Sequence, residues 1–148
     1  MPMAPDEKIA YQRAIMVDNA KRWLGTPYIW NNQDFSGFDC SGFCHEVLQS
    51  VGLERNRFDS TAHEMYIHFK PYVRETGGKG CLVFWFKDGK TIHVEIMVDD
   101  YHTVGASGGS SRTRTVADAI RDDAFVKMRP LHYRGDNFKI VDPFKAVE

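Results

Sequence analysis

The sequence is poor in cysteine, with three in 148 residues, and an odd count leaves no closed disulfide framework. Charge of neither sign dominates: 19 Lys and Arg stand against 20 Asp and Glu, for a net charge of −1. No Lys/Arg block is present, which removes the footprint of a nucleic-acid binder. Long apolar runs are missing too; none approaches the ~20 residues of a membrane span. Met1 to Glu7 carry neither the basic start nor the apolar core of a signal peptide. No Cys/His spacing matches a zinc site, and His63 and His68, five apart, do not share a helix face. No repeat or linker interrupts the chain. These absences imply a soluble protein made in the cytoplasm without a secretion signal, needing no metal and no cofactor, with neither nucleic acid nor membrane among its partners. The composition that remains, 43% hydrophobic and 13% aromatic, suits one domain over residues 1–148 with a sizeable core.

The first half of the chain reads as helical. Glu7 to Leu24 forms an amphipathic helix with Ile9, Met16, Ala20 and Trp23 on one stripe, stopped by Gly25-Thr26-Pro27. An aromatic, polar loop from Tyr28 to Ser36 leads into Gly37-Phe38-Asp39-Cys40-Ser41-Gly42-Phe43. From Phe43 the apolar residues fall at helical spacing (Phe43, Val47, Val51), with Gly52 where a helix-ending glycine belongs. A further helix starts near Ser60 or Thr61, where Thr61 to Glu64 matches a capping box, and ends before Pro71.

The second half changes period. Cys81 to Phe86 is strand-like, Lys87-Asp88-Gly89-Lys90 is a hairpin turn, and Thr91 to Val98 alternates. That alternation puts Val94, Ile96 and Val98 on one face and His93, Glu95 and Met97 on the other. A third strand runs from Tyr101 to Ala106, a helical piece covers Val116 to Ile120, and strands follow at Phe125 to Met128 and Phe138 to Val141. Helices first and antiparallel hairpins second make an α+β domain.

Two residues stand out chemically. Asp39 is an N-cap residue type, so Cys40 lies in the first turn of its helix, where the helix dipole and unpaired amides favour the nucleophilic thiolate. A thiolate nucleophile needs a base within hydrogen-bond reach. Of the six histidines, His45 reads as a surface residue of the cysteine helix and His132 sits among exposed-looking residues. His93 is aimed by a strand whose alternate residues are core, which makes it the best base for Cys40.

Leu24-Gly25-Thr26-Pro27-Tyr28-Ile29-Trp30, the Gly37–Phe43 stretch, Leu82-Val83-Phe84-Trp85 and His93-Val94-Glu95-Ile96 together resemble the NlpC family of cell-wall cysteine peptidases, over about Lys8 to Ser107. The resemblance implies a papain-like fold with N-terminal helices packed on an antiparallel sheet. It also implies hydrolysis of peptidoglycan stem peptides, commonly between D-γ-glutamate and a diamino acid. Cys40 is then the nucleophile and His93 the base, Tyr28 assists the oxyanion, and Asp39 and Ser41 help hold the stem peptide. The Gly105–Gly109 and Val141–Phe144 stretches look like phage-borne members, which implies delivery with phage tail or lysis components; a delivered toxin or a cytosolic recycler of wall peptides competes with that reading.

Three positions depart from the family pattern. Gly105 stands where the family carries a polar residue that orients the imidazole, Glu95 where it tends to have glycine, and Cys81 where it usually has aspartate. A water, a backbone carbonyl, Glu95 or His102 then serves as orienter. The glycine is expected to leave a gap beside the ring, filled by water or a longer neighbouring side chain, and Gly105→His or Gly105→Asn to be tolerated. An amidase of the CHAP type, and a non-catalytic structural or wall-binding module that retains the fold, are the competing functions. Because no metal-ligand spacing is present, hydrolytic activity is expected to survive EDTA; strong inhibition reversed by added zinc would overturn the thiol mechanism.

Overall fold

In the computed structural model, residues 2–34, 37–54 and 60–147 are described; Phe35 and Ser36 of the aromatic loop lie outside them. Helix α1 (Pro5–Arg22) begins two residues before the expected start because Pro5 occupies its first turn, where a missing N–H costs nothing. It buries Met16, Val17 and Ala20. A two-stranded ribbon, β1 (Gln33–Asp34) and β2 (Gly37–Phe38), precedes α2 (Cys40–Ser50). Helix α3 (Ala62–Phe69) opens with the expected capping box: the Thr61 hydroxyl takes the Glu64 N–H and the Glu64 side chain returns to the Thr61 N–H. No helix among the described residues is long and apolar enough to cross a membrane.

The sheet follows: β3 (Val73–Arg74), β4 (Leu82–Lys87), β5 (Lys90–Met97), β6 (His102–Ser107), then helix α4 (Val116–Asp122), β7 (Phe125–Pro130) and β8 (Phe138–Val141). Its six strands lie in the order β3-β8-β4-β5-β6-β7, every pair antiparallel. The β4–β5 hairpin turns at Asp88-Gly89, both with positive φ (52° and 75°), as an Asp-Gly pair favours. Helices packed against an antiparallel sheet make this the expected α+β fold. The placement of β8 has no local signal: the last strand returns between β3 and β4, a pairing set by long-range closure.

Strand β5 lies inside the sheet and both its faces are covered. Val94, Ile96 and Val98 join the larger core with Phe43, Val47 and Leu48 of α2. Met97 belongs to a second cluster with Cys81, Val83, Trp85, Leu131 and Ile140, on which Tyr133 and Phe138 pack. His93 and Glu95 are accordingly buried on that face. Between Trp85 and Phe86 the β4–β5 register slips: Trp85 faces His93 and Phe86 faces Thr91, which leaves Ile92 as an extra residue. Such a bulge re-aims the side chains beside it, and His93 is the residue that follows.

Asp142, fully buried, ties the chain's end to its beginning. Its Oδ2 accepts from Arg13 Nη2 at 2.6 Å and Arg74 Nη1 at 3.2 Å, and its Oδ1 from the Phe144 amide at 3.1 Å. Arg13 and Arg74 keep some water contact, so removing the carboxylate forfeits charge-assisted bonds without stranding a dry cation. Asp142→Ala is expected to cost about 2 kcal/mol, measured as a lowered urea midpoint; an unchanged midpoint would show that the cluster contributes nothing.

Candidate active site

Helix α2 starts where the Asp39 side chain allows it to. Asp39 Oδ1 accepts from the Gly42 amide at 2.7 Å, the N-cap bond, and Oδ2 accepts from the Asn31 amide at 3.0 Å. One carboxylate thus fixes both the helix start and the incoming loop, with Cys40 as the first helical residue. Cys40 is half-buried, whereas Cys44 and Cys81 are buried. Burial, with the neighbouring Cys40 next in weight, pushes the Cys44 thiol well above its usual range. Burial raises Cys81 too. Cys40 is thus the thiol with access to solvent.

The His93 ring is bonded through Nε2 to Glu95 Oε2 at 2.6 Å, which leaves Nδ1 free to face the cleft it shares with Cys40. Trp85 covers the ring at a centroid distance of 5.7 Å. Burial alone lowers the His93 pKa, but the bonds to Cys40 and Glu95 more than offset it and raise the value to about 9. Glu95 moves the opposite way. Burial raises its pKa, yet bonds from His93, Thr103 and Tyr133 bring it below its ordinary 4.5. The buried carboxylate is therefore an anion, accepting from Thr103 Oγ1 and from the Tyr133 hydroxyl, both at 2.6 Å.

Tyr28 belongs to the same site. Its amide donates to Ala124 O at 2.9 Å and it bridges to Phe38, so the loop is pinned between β7 and β2. Burial, with Cys40 and Asp39 adding to it, drives the phenol pKa far up, and the hydroxyl stays protonated. A Cβ on Gly109 would lie 2.1 Å from the Tyr28 ring, so only glycine lets the loop after β6 close over it. Cys40, His93, Tyr28, Asp39 and Ser41 all line one cleft of about 720 Å³. Ser60, Lys90 and Arg134 complete its walls.

The other expectations separate. Glu95 reaches His93, whereas His102 Nδ1 pairs with Asp99 Oδ1 and Oδ2 at 3.1 Å. The gap at Gly105 is filled: a Cβ there would stand 2.3 Å from Glu95 Cγ. A longer neighbouring side chain does occupy the space, but Gly105→His then collides with it, contrary to the expected tolerance. His45 is not a surface residue. It is buried, with Nδ1 against Glu54 at 2.8 Å and 2.9 Å and Nε2 against Ser60 Oγ at 2.7 Å. Helix α2 is covered beyond its apolar stripe, so polar pairing substitutes there for apolar contact. Sequence reasoning also missed Thr103 and Tyr133. Strand alternation, which sets Thr103 on the face of Gly105, was the available signal for the first; Tyr133 is 38 residues from Glu95 and carried none.

The chain is similar to several known proteins. The NlpC/P60 family model matches residues 25–130. Protein P54 of Enterococcus faecium is 39% identical over 84 residues, 56% of this chain and 16% of that protein. The gamma-D-glutamyl-L-lysine dipeptidyl-peptidase of Bacillus cereus is 32% identical over 88 residues, 57% of this chain and 26% of that one. The chain thus spans about a quarter or less of these relatives. The solved NlpC/p60 domain of the peptidoglycan hydrolase SagA superposes with a TM-score of 0.59 at 24% identity, covering 86% of this chain and 97% of that one, a likeness of fold.

The coupled pair makes stability depend on pH. His93, raised from 6.5 to about 9, contributes fully below 6.5 and loses its contribution as pH rises through 9. Glu95, lowered from 4.5, contributes above 4.5 and loses it as pH falls through its depressed value. Urea unfolding is expected to show greater stability at pH 6 than at pH 9.5, with a smaller difference in His93→Gln; an identical drop in that variant would assign the alkaline loss to other groups.

Proposed function

The chain belongs to the NlpC/P60 family, and from that premise we propose that it is a cysteine peptidase that hydrolyses peptidoglycan stem peptides at the bond between D-γ-glutamate and a diamino acid. The observation that carries the reading is the placement in one cleft of the half-buried Cys40, at a capped helix start, and a buried His93 ring supported by the Glu95 carboxylate. The relative from Bacillus cereus, named for cleaving a γ-D-glutamyl-L-lysine substrate, supports the choice of bond.

In this mechanism the Cys40 proton rests on His93 Nδ1, whose raised pKa favours the imidazolium near neutral pH, and the thiolate attacks the scissile carbonyl carbon. The negative charge moves onto the carbonyl oxygen. The Cys40 amide, at a helix position whose N–H has no partner within the helix, and the protonated Tyr28 hydroxyl stabilise it. Collapse of the tetrahedral species breaks the C–N bond, and His93 delivers the proton to the leaving amine. Water, deprotonated by the same ring, then attacks the thioester, releasing the new carboxylate and restoring the thiol. Asp39, committed to its cap, shapes the site by holding Cys40 and the Asn31 loop; Ser41, beside it on the cleft wall, contacts the peptide.

Mass spectrometry of purified muropeptides before and after incubation tests this reading. Wild type is expected to release fragments cut after D-glutamate, Cys40→Ala to release none, and Tyr28→Phe to lose about 10²-fold in kcat, the usual effect of one oxyanion donor. Cleavage between sugar and peptide would assign an amidase instead, and equal turnover by Cys40→Ala would remove the thiol mechanism.

A further inference from the structure

We propose that Glu95 is the residue that positions His93, and that position 105 is a glycine because the Glu95 carboxylate occupies the space a side chain there would need. The inference deepens the Cys40–His93 reading and rests on it. Four observations on the described residues converge. Glu95 Oε2 accepts from His93 Nε2 at 2.6 Å, so Nδ1 is the ring nitrogen left for the cleft that Cys40 also lines. The carboxylate cannot swing away: Tyr133 donates to the same oxygen and Thr103 to Oε1, both at 2.6 Å. The strand pairing Ile96↔Val104 and Met97↔Thr103, continued by one step, sets Gly105 opposite Glu95. A Cβ at 105 would meet Glu95 Cγ at 2.3 Å and Cδ at 2.7 Å.

The bonding fixes a division of labour. Three donors converge on one fully buried carboxylate, which keeps it ionised in a dry site where an unpartnered charge would be untenable. The anion at Nε2 holds the ring's orientation with a proton on that nitrogen, and it stabilises the imidazolium that the raised pKa favours near neutral pH, with the thiol's proton on Nδ1. Glu95 touches neither the sulfur nor the scissile bond, so it is a positioning residue. His102, half-exposed, is bonded to Asp99 instead. The orienting group therefore comes from His93's own strand, two residues on, and the neighbouring strand contributes a hydroxyl at Thr103 and a vacancy at Gly105.

The test uses the full chain, with circular dichroism confirming the fold of each variant. NMR titration of the His93 ring needs no substrate: Glu95→Gln is expected to bring its midpoint down from about 9 toward 6.5. Turnover of muropeptides by this variant should fall about 10²-fold or more in kcat, with KM little changed. Gly105→Ala, although it contacts neither Cys40 nor His93, should lower both the midpoint and kcat by displacing Glu95. In a Glu95→Ala background the same substitution should add nothing. The exchange Glu95→Gly with Gly105→His returns a polar group from the neighbouring strand and should recover part of the lost kcat, whereas Gly105→His alone should not. A His93 midpoint unmoved by Glu95→Gln, or wild-type kinetics in Gly105→Ala, would overturn the assignment. A midpoint that shifts in a protein that cuts no muropeptide would uphold the positioning role and reject the proposed substrate instead.

Discussion

The approach of Cys40 and the His93 ring in one cleft joins two elements that share no local sequence, the first turn of α2 and the middle of β5. Its geometry depends on both ends being held. On the cysteine side Asp39 caps the helix and grips the Asn31 amide, so the helix start moves only if the preceding loop moves with it. On the histidine side the ring is bounded by Trp85 and by Glu95, and the strand is re-aimed by the bulge at Ile92 just before it. Packing of α2 on β5 through Phe43, Val47, Val94 and Ile96 sets the separation between the two.

Keeping a carboxylate ionised in that interior is the most expensive feature of the site. A buried anion without donors would protonate or destabilise the fold. Here the surrounding strands and the Tyr133 loop each supply one donor, and the pKa of Glu95 ends below its ordinary value despite complete burial. The same network raises His93, so the two groups favour each other's charged form, and the pair behaves as a unit in which neither residue's protonation is set alone. The apolar cluster of Val83, Trp85, Met97, Leu131 and Ile140 excludes the water that would otherwise weaken these bonds.

The opposite wall of the cleft uses a similar device for a structural purpose. Glu54 and Ser60 satisfy both ring nitrogens of His45, and this holds the approach to α3 against the body of α2. Ser60 then reaches the cleft from a fixed position, as Gly109 and Tyr28 do from the far side. The cleft is thus walled by α3's start, the Tyr28 loop and the turn after β6, all anchored to the elements that carry Cys40 and His93.

Much of this was legible in the chain alone, because it depends on signals that act over a few residues. Helical spacing after Phe43, Asp39 as a cap, the Thr61–Glu64 capping box, the Asp88-Gly89 turn and the alternation along β5 are short-range effects, and each element formed where these placed it. The placement of Cys40 and His93 in one cleft was expected from residue types and strand pointing. What sequence could not decide was anything set by contacts between distant segments. The insertion of β8 beside β4, the burial of His45, the choice of Glu95 over His102 and the arrival of Tyr133 at the Glu95 carboxylate all depend on how the sheet closes. Gly105 illustrates the boundary: its lack of a side chain was visible in the sequence, but only the register of β5 against β6 revealed that another residue's carboxylate already filled the space.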